Sequence, residues 1–192
     1  MPFAKKPLFI TLLSSLSLIF SFSSISANAQ EYISQYTKID LEECTILNAD
    51  DFGVQFACPG YKGYPLYVAE GDLRFFVSYG FGALDEKAAS QTLPNFNTIN
   101  ETLEWRLSKQ NGEFKPIATI LRWFPDISDQ SGGEFKQGSI LVVTKIQKNN
   151  TCHVAYIDAQ LVDGANEIAQ NIADNAVKDF NCETDEILMI PS

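Results

Sequence analysis

The stretch CPGYKGYPLYVAEGDLRFFVSYG, Cys58–Gly80, decides how the rest of the chain is read. Pro59, Gly60 and the Lys62-Gly63 pair form a connection, after which Tyr64, Leu66 and Val68 alternate with Pro65, Tyr67 and Ala69. Glu70-Gly71-Asp72 reads as a tight turn, and Leu73, Phe75, Val77 and Tyr79 then alternate with Arg74, Phe76 and Ser78. Period two on both sides of a glycine turn is the pattern of an antiparallel hairpin with one apolar face. Pro65 has no backbone donor, so its strand begins there or lies at an edge. Leu73, Phe75, Val77 and Tyr79 fill one face. The other, with Tyr67, Arg74 and Phe76, reads as a second core layer, an interface or the inside of a barrel.

The same logic extends upstream. In DLEECTILNADDFGVQFACPG, apolar residues alternate on either side of the turn-rich Asn48–Gly53 segment. If Cys44 pairs with Cys58, Ile46 faces Phe56 and Asn48 faces Val54, which places both cysteines on one face. A cross-strand disulfide between Cys44 and Cys58 follows, and closing a loop of about 15 residues contributes about 3 kcal/mol.

Downstream, Gly80–Asn100 loses period two and reads as a long connection, where function often resides. TLEWRLS and KPIATILRWF then flank an Asn111-Gly112 turn as a third hairpin. A polar loop, PDISDQSGGEFKQG, leads to GSILVVTKIQ, and KNN turns that strand into TCHVAYIDA, Thr151–Ala159. About eight strands with mostly short turns predict an antiparallel meander, as a sheet or a partly closed barrel.

DGANEIAQNIADNAVKDF breaks the pattern. Ala165, Ile168, Ala169, Ile172, Ala173, Ala176, Val177 and Phe180 fall on one helical stripe, with Asp163 placed as a cap. A helix of about 16 residues spans about 24 Å, nearly the length of the strand before it, and so returns Cys182 to Cys152. That predicts the second disulfide and a helix clamped on the sheet, a fold of the α+β class. Glu186–Ile190 adds a short edge strand.

The N-terminus reads as a secretory leader over residues 1–29. Lys5 and Lys6 precede an apolar, serine-rich run that ends in Ala27-Asn28-Ala29. Its removal from 192 residues leaves 163, residues 30–192, a length suited to one domain. The two lysines leave with it, so 14 basic residues become 12 against 24 acidic, and the net charge moves from −10 to −12. Such a field disfavours nucleic acid and anionic membranes and speeds encounter with a cationic partner. Four cysteines in an exported chain favour two disulfides over metal or thiol chemistry.

Searching for chemistry yields little. His153 is the only histidine and sits beside a disulfide cysteine, which favours a structural or surface role. Ser78 in FVSYG lacks the first glycine of a nucleophile elbow. The loop acids Asp126, Asp129 and Glu134 miss the calcium-loop spacing, so no metal and no cofactor is expected. Asp50, Asp51, Glu70, Asp72, Asp85 and Glu86 lie in or near turns, and nothing in the sequence fixes a catalytic separation between any two of them. The candidate binding residues are Tyr61, Tyr64, Tyr67, Arg74, Phe76 and Phe81, because aromatic residues and arginine anchor protein interfaces.

The runs GDLRFFVSYG, ATILRWF and TCHVAYIDA resemble those of an uncharacterised group of exported bacterial proteins. That resemblance implies export and a periplasmic or secreted address, and no activity. The strand-then-helix order is also similar to that of lipocalins, although their glycine-x-tryptophan signature is missing from the first strand. The expectation is a non-enzymatic binding protein for a cationic partner, such as an envelope lysozyme. A small-ligand carrier with an apolar barrel cavity and a carboxylate hydrolase are the alternatives.

Overall fold

Each hairpin read from the sequence forms, but the hairpins divide between two sheets. The computed structural model describes residue 1, residues 30–128 and residues 135–191. The expected leader, apart from Met1, and residues 129–134 of the polar loop lie outside the described residues.

The smaller sheet is a four-stranded antiparallel meander: β2 (Thr45–Asp50), β3 (Gly53–Cys58), β4 (Leu66–Gly71) and β5 (Arg74–Tyr79). The larger sheet runs in the order β1 (Tyr32–Lys38), β6 (Asn97–Gln110), β7 (Glu113–Ile127), β9 (Ile140–Lys145), β10 (Cys152–Asp158) and β11 (Leu188–Ile190). A short β8 (Lys136–Gln137) pairs with β7. Neither sheet closes. A partly closed barrel would need β5 to continue into β6, whereas β6 pairs instead with β1, from the far N-terminal side of the small sheet.

Three layers result. Leu66, Val68, Val77 and Tyr79 of the small sheet pack on Leu103, Trp105, Leu107, Leu121, Trp123 and Val142 of the large one. On the opposite face of the large sheet lies α1 (Ala165–Asn175), whose Ala165, Ala169, Ile172 and Ala173 meet Ala118, Ile120, Leu141, Val143, Val154 and Ile157. The alanines in this stripe let the helix backbone approach the sheet closely. A polar network ties the third layer to the edge strand. Arg106 holds Asp174 through two hydrogen bonds of 2.9 and 2.5 Å and donates to Ser34 Oγ, which donates to Glu104; Gln170 also donates to Glu104.

Both expected disulfides are present, Cys44–Cys58 with Cα atoms 4.4 Å apart and Cys152–Cys182 at 5.8 Å. Several details differ from the sequence reading. Ile46 does face Phe56, but a bulge at Leu47 brings Asn48 opposite Gln55 rather than Val54. The β4–β5 turn is Asp72-Leu73, both with positive φ, so Leu73 leaves the buried face for the tip. The helix covers 11 residues rather than about 16, and Gly164 in the left-handed region starts it without a side-chain cap. Among the described residues there are eleven strands rather than about eight, because β1 and β8 are additional to the sequence reading and β11 adds parallel to β10.

The connection between β5 and β6 is built into the structure. It contains two short 3₁₀ turns, Ala83–Asp85 and Lys87–Ser90, and buries Ala83, Ala88 and Leu93. Glu86 accepts from the backbone N–H groups of Asn149 (2.6 Å) and Thr151 (2.9 Å). Ala88 N–H donates to Thr151 O, and Thr92 Oγ1 to Phe75 O. The segment therefore bridges the edge of β5 and the edge of β10.

Candidate functional site

The six expected binding residues fall on two sides of the small sheet. Tyr61, Tyr64 and Phe81 gather where the two sheets meet. Tyr61 and Tyr64 lie 6.3 and 6.4 Å from the Trp105 ring, and Phe81 lies 5.4 Å from Tyr64. Gly60 makes this possible, since a Cβ there would stand 2.8 Å from the Trp105 ring and 2.2 Å from Tyr64 O. Tyr61 and Tyr64 are half-buried and Phe81 is exposed beside a groove of about 640 Å³, which Glu86, Asn149 and Thr151 also line. Glu86, on the wall of this groove, is already engaged by two backbone amides.

Tyr67, Arg74 and Phe76 occupy the outer face of the small sheet. The strand register sets Tyr67 beside Ser78 and Ala69 beside Phe76, with Gln55 opposite Ala69. They form an open trough of about 310 Å³ lined by Asn48, Gln55, Tyr67, Ala69 and Phe76, with Ala89 on its wall. Tyr67 is buried, and burial pushes its phenol above the ordinary value. Phe76 and Arg74 are half-buried. This face is therefore neither a closed core layer nor the inside of a barrel.

The trough runs into the sheet's tip, where the turns of both hairpins lie together because Gly53 pairs with Gly71 and Gly71 with Arg74. At the tip Phe52 is 88% exposed and Leu73 63% exposed. Leu73 also holds φ of 58°, a left-handed conformation that costs a leucine about 1–2 kcal/mol. Acids surround them: Asp50, Asp51, Glu70 and Asp72 line the same surface. Asp50 Oδ1 accepts from Phe52 N–H (2.8 Å) and Gly53 N–H (3.1 Å), so it shapes the β2–β3 turn. Arg74, at the start of β5, is ion-paired with Asp72. In the sequence these acids read as turn residues and Leu73 as part of the buried face, and Phe52 is not among the candidate binding residues. The signal was present in two turns, ADDFG and EGDLR, each placing a large apolar side chain beside acids where a turn ordinarily takes glycine or asparagine.

His153 lies elsewhere. It is buried between the sheets, on the face opposite Cys152, with Nδ1 2.7 Å from the Tyr156 hydroxyl and its ring 5.7 Å from that of Trp123. A surface position for it is thus excluded. Trp105, Trp123 and Tyr79 fill the space between the sheets that a barrel ligand would need. Among the described residues, no three side chains of His, Cys, Asp or Glu converge to hold a metal ion, and no helix is long and apolar enough to cross a membrane.

No protein-family model matches the chain, and neither a curated protein nor a solved structure matches it.

Proposed function

We propose that this chain is an exported, non-enzymatic binding protein that docks on a cationic protein through the tip and outer face of its small sheet. One observation carries the reading. Phe52 and Leu73 stand in solvent on two adjacent turns, ringed by Asp50, Asp51, Glu70 and Asp72. Folding buries little of Phe52 and only part of Leu73, and Leu73 adds backbone strain, so their placement is best accounted for by contact with another molecule. Apolar anchors supply affinity at the centre of such a contact, while the acidic rim steers a positively charged partner and rejects acidic ones. The two disulfides favour an oxidising compartment, periplasmic or extracellular, and the overall negative charge extends the steering field. Asp50, Asp72 and Glu86 are all engaged in turn or loop geometry, which weighs against a carboxylate hydrolase.

Lysozyme is a suitable cationic probe. Binding should weaken about tenfold or more when Phe52→Ser is combined with Leu73→Ser, chiefly through faster dissociation. Asp51→Asn with Glu70→Gln should instead slow association and flatten its salt dependence. Salt-independent binding that ignores both pairs of substitutions would rule out this surface.

A further inference from the structure

We infer that the free edge of β2 receives an extended, cationic segment of the partner as an added antiparallel strand; this inference rests on the docking reading above and specifies how the partner is held.

The other sheet edges are managed. Along β5, Leu73 O accepts from Asn97 N–H (3.0 Å), Phe75 N–H donates to Asn97 Oδ1 (3.1 Å), and Phe75 O accepts from Thr92 Oγ1 (2.7 Å). Along β10, Gln91 Oε1 takes His153 N–H (2.8 Å) before β11 pairs with Ala155–Ile157. β1 carries Ser34, Gln35, Thr37 and Lys38, the polar and lysine-ended composition that discourages pairing. β11 ends the large sheet with Leu188 and Met189 exposed, but it is only three residues long and runs straight into Pro191, so it offers little ladder to pair with. Among the described strands, β2 is the longer edge without such protection. It ends the order of the small sheet, no described element pairs with its outer side, and all six of its residues are exposed. It contains neither lysine nor proline, and it presents Ile46 (61% exposed) and Leu47 (46%). A six-residue apolar edge left open on a protein that covers, shortens or polarises its other edges is a ready template for another chain.

Charge selects the occupant. Glu42 and Glu43 precede β2, Asp50 and Asp51 close it, and no basic residue occurs between Lys38 and Lys62. Two copies of β2 paired antiparallel would set Glu42 and Glu43 against Asp50 and Asp51 of the other copy, and parallel pairing also sets acid against acid. Like charges facing across a ladder oppose self-association, whereas lysine or arginine at the ends of a foreign strand is favoured. The Cys44–Cys58 disulfide ties the start of β2 to the end of β3, so the edge is held ready without an outer neighbour. Such preorganisation lowers the ordering cost of binding. The segment that fits has about six extended residues, with apolar side chains to lie beside Ile46 and Leu47 and basic residues at its ends.

The test uses a synthetic peptide of alternating lysine and valine, about ten residues long, and a control with glutamate in place of lysine. Residue-resolved hydrogen exchange of the protein is followed at low ionic strength. The expected result is slowing of about tenfold or more at amides within residues 45–50 with the lysine peptide alone, retained in the Phe52→Ser, Leu73→Ser protein. Lysine-peptide binding that leaves the β2 amides unprotected overturns strand addition while leaving the docking surface standing. Failure of both the lysine peptide and lysozyme to bind overturns both readings. Protection that grows with protein concentration in the absence of peptide assigns the edge to a second copy and overturns the inference.

Discussion

His153 shows how one side chain ties this fold to pH. Its imidazole is enclosed between Trp123 and Tyr156, and burial holds it neutral, with the pKa brought down to about 3. In the unfolded chain a histidine titrates at about 6.5. Above that pH neither state binds the proton and the full stability is present. As pH falls from about 6.5 toward 3, only the unfolded chain takes it up, and stability is lost by up to about 1.4 kcal/mol per pH unit. Between about pH 6.5 and 5, before most carboxylates titrate, the urea midpoint of the wild type should decline while that of His153→Phe stays level. Parallel declines would remove His153 as the origin. The sequence left a structural and a surface role open for the lone histidine, since alternation assigns a residue to a face without saying what covers that face.

At the scale of elements, turns and amphipathic stripes were legible and long-range pairing was not. Asn111-Gly112 takes the left-handed pair of φ angles its sequence calls for, 51° and 85°, and β6 and β7 follow from it. β1 gives no such signal. YISQYTK lacks a clean alternation, and its partner lies far along the chain, at Leu103–Ser108 for most of its length, so neither a turn nor a periodicity marks it. What it contributes to the third layer is polar, Ser34 bridging Arg106 and Glu104. The helix stripe was read correctly as a burial pattern, since Val177 and Phe180 are buried beyond the last helical residue, Asn175. The backbone leaves helical geometry there, in the approach to Cys182. At the candidate site, the acidic turns were visible, but period two placed Leu73 on the buried face because the turn centre lies one residue later than Gly71. Replacing Cys152 and Cys182 together by serine should cost about 3–4 kcal/mol and speed amide exchange across Ala165–Asn175. The same change at Cys44 and Cys58 should cost about 3 kcal/mol and leave the helix amides unchanged. Equal loosening of the helix in both variants would contradict this division of labour.

For the whole molecule, the decisive arrangement is an interior filled from two sheets rather than enclosed by one. Trp105 and Trp123 both lie in that interior and both are fully buried. Native tryptophan emission should therefore be blue-shifted and nearly insensitive to iodide, with quenching appearing only at the unfolding transition. Quenching of the native protein, or its modulation by a fatty acid, would instead indicate an accessible cavity between the sheets. The chain's path through these layers has a further consequence for assembly order. β1 pairs only with β6, Tyr32 opposite Ser108, and the entire small sheet is spelled out between them. A chain emerging N-terminus first therefore displays β1 long before its neighbour exists, while β3, β4 and β5 can each pair with the strand made just before it. Pulse-labelled refolding should find the amides of β3 and β4 protected before those of β1. The N-terminal strand then acts as the latch of the large sheet, ahead of every other described strand in the chain and among the last to find its place.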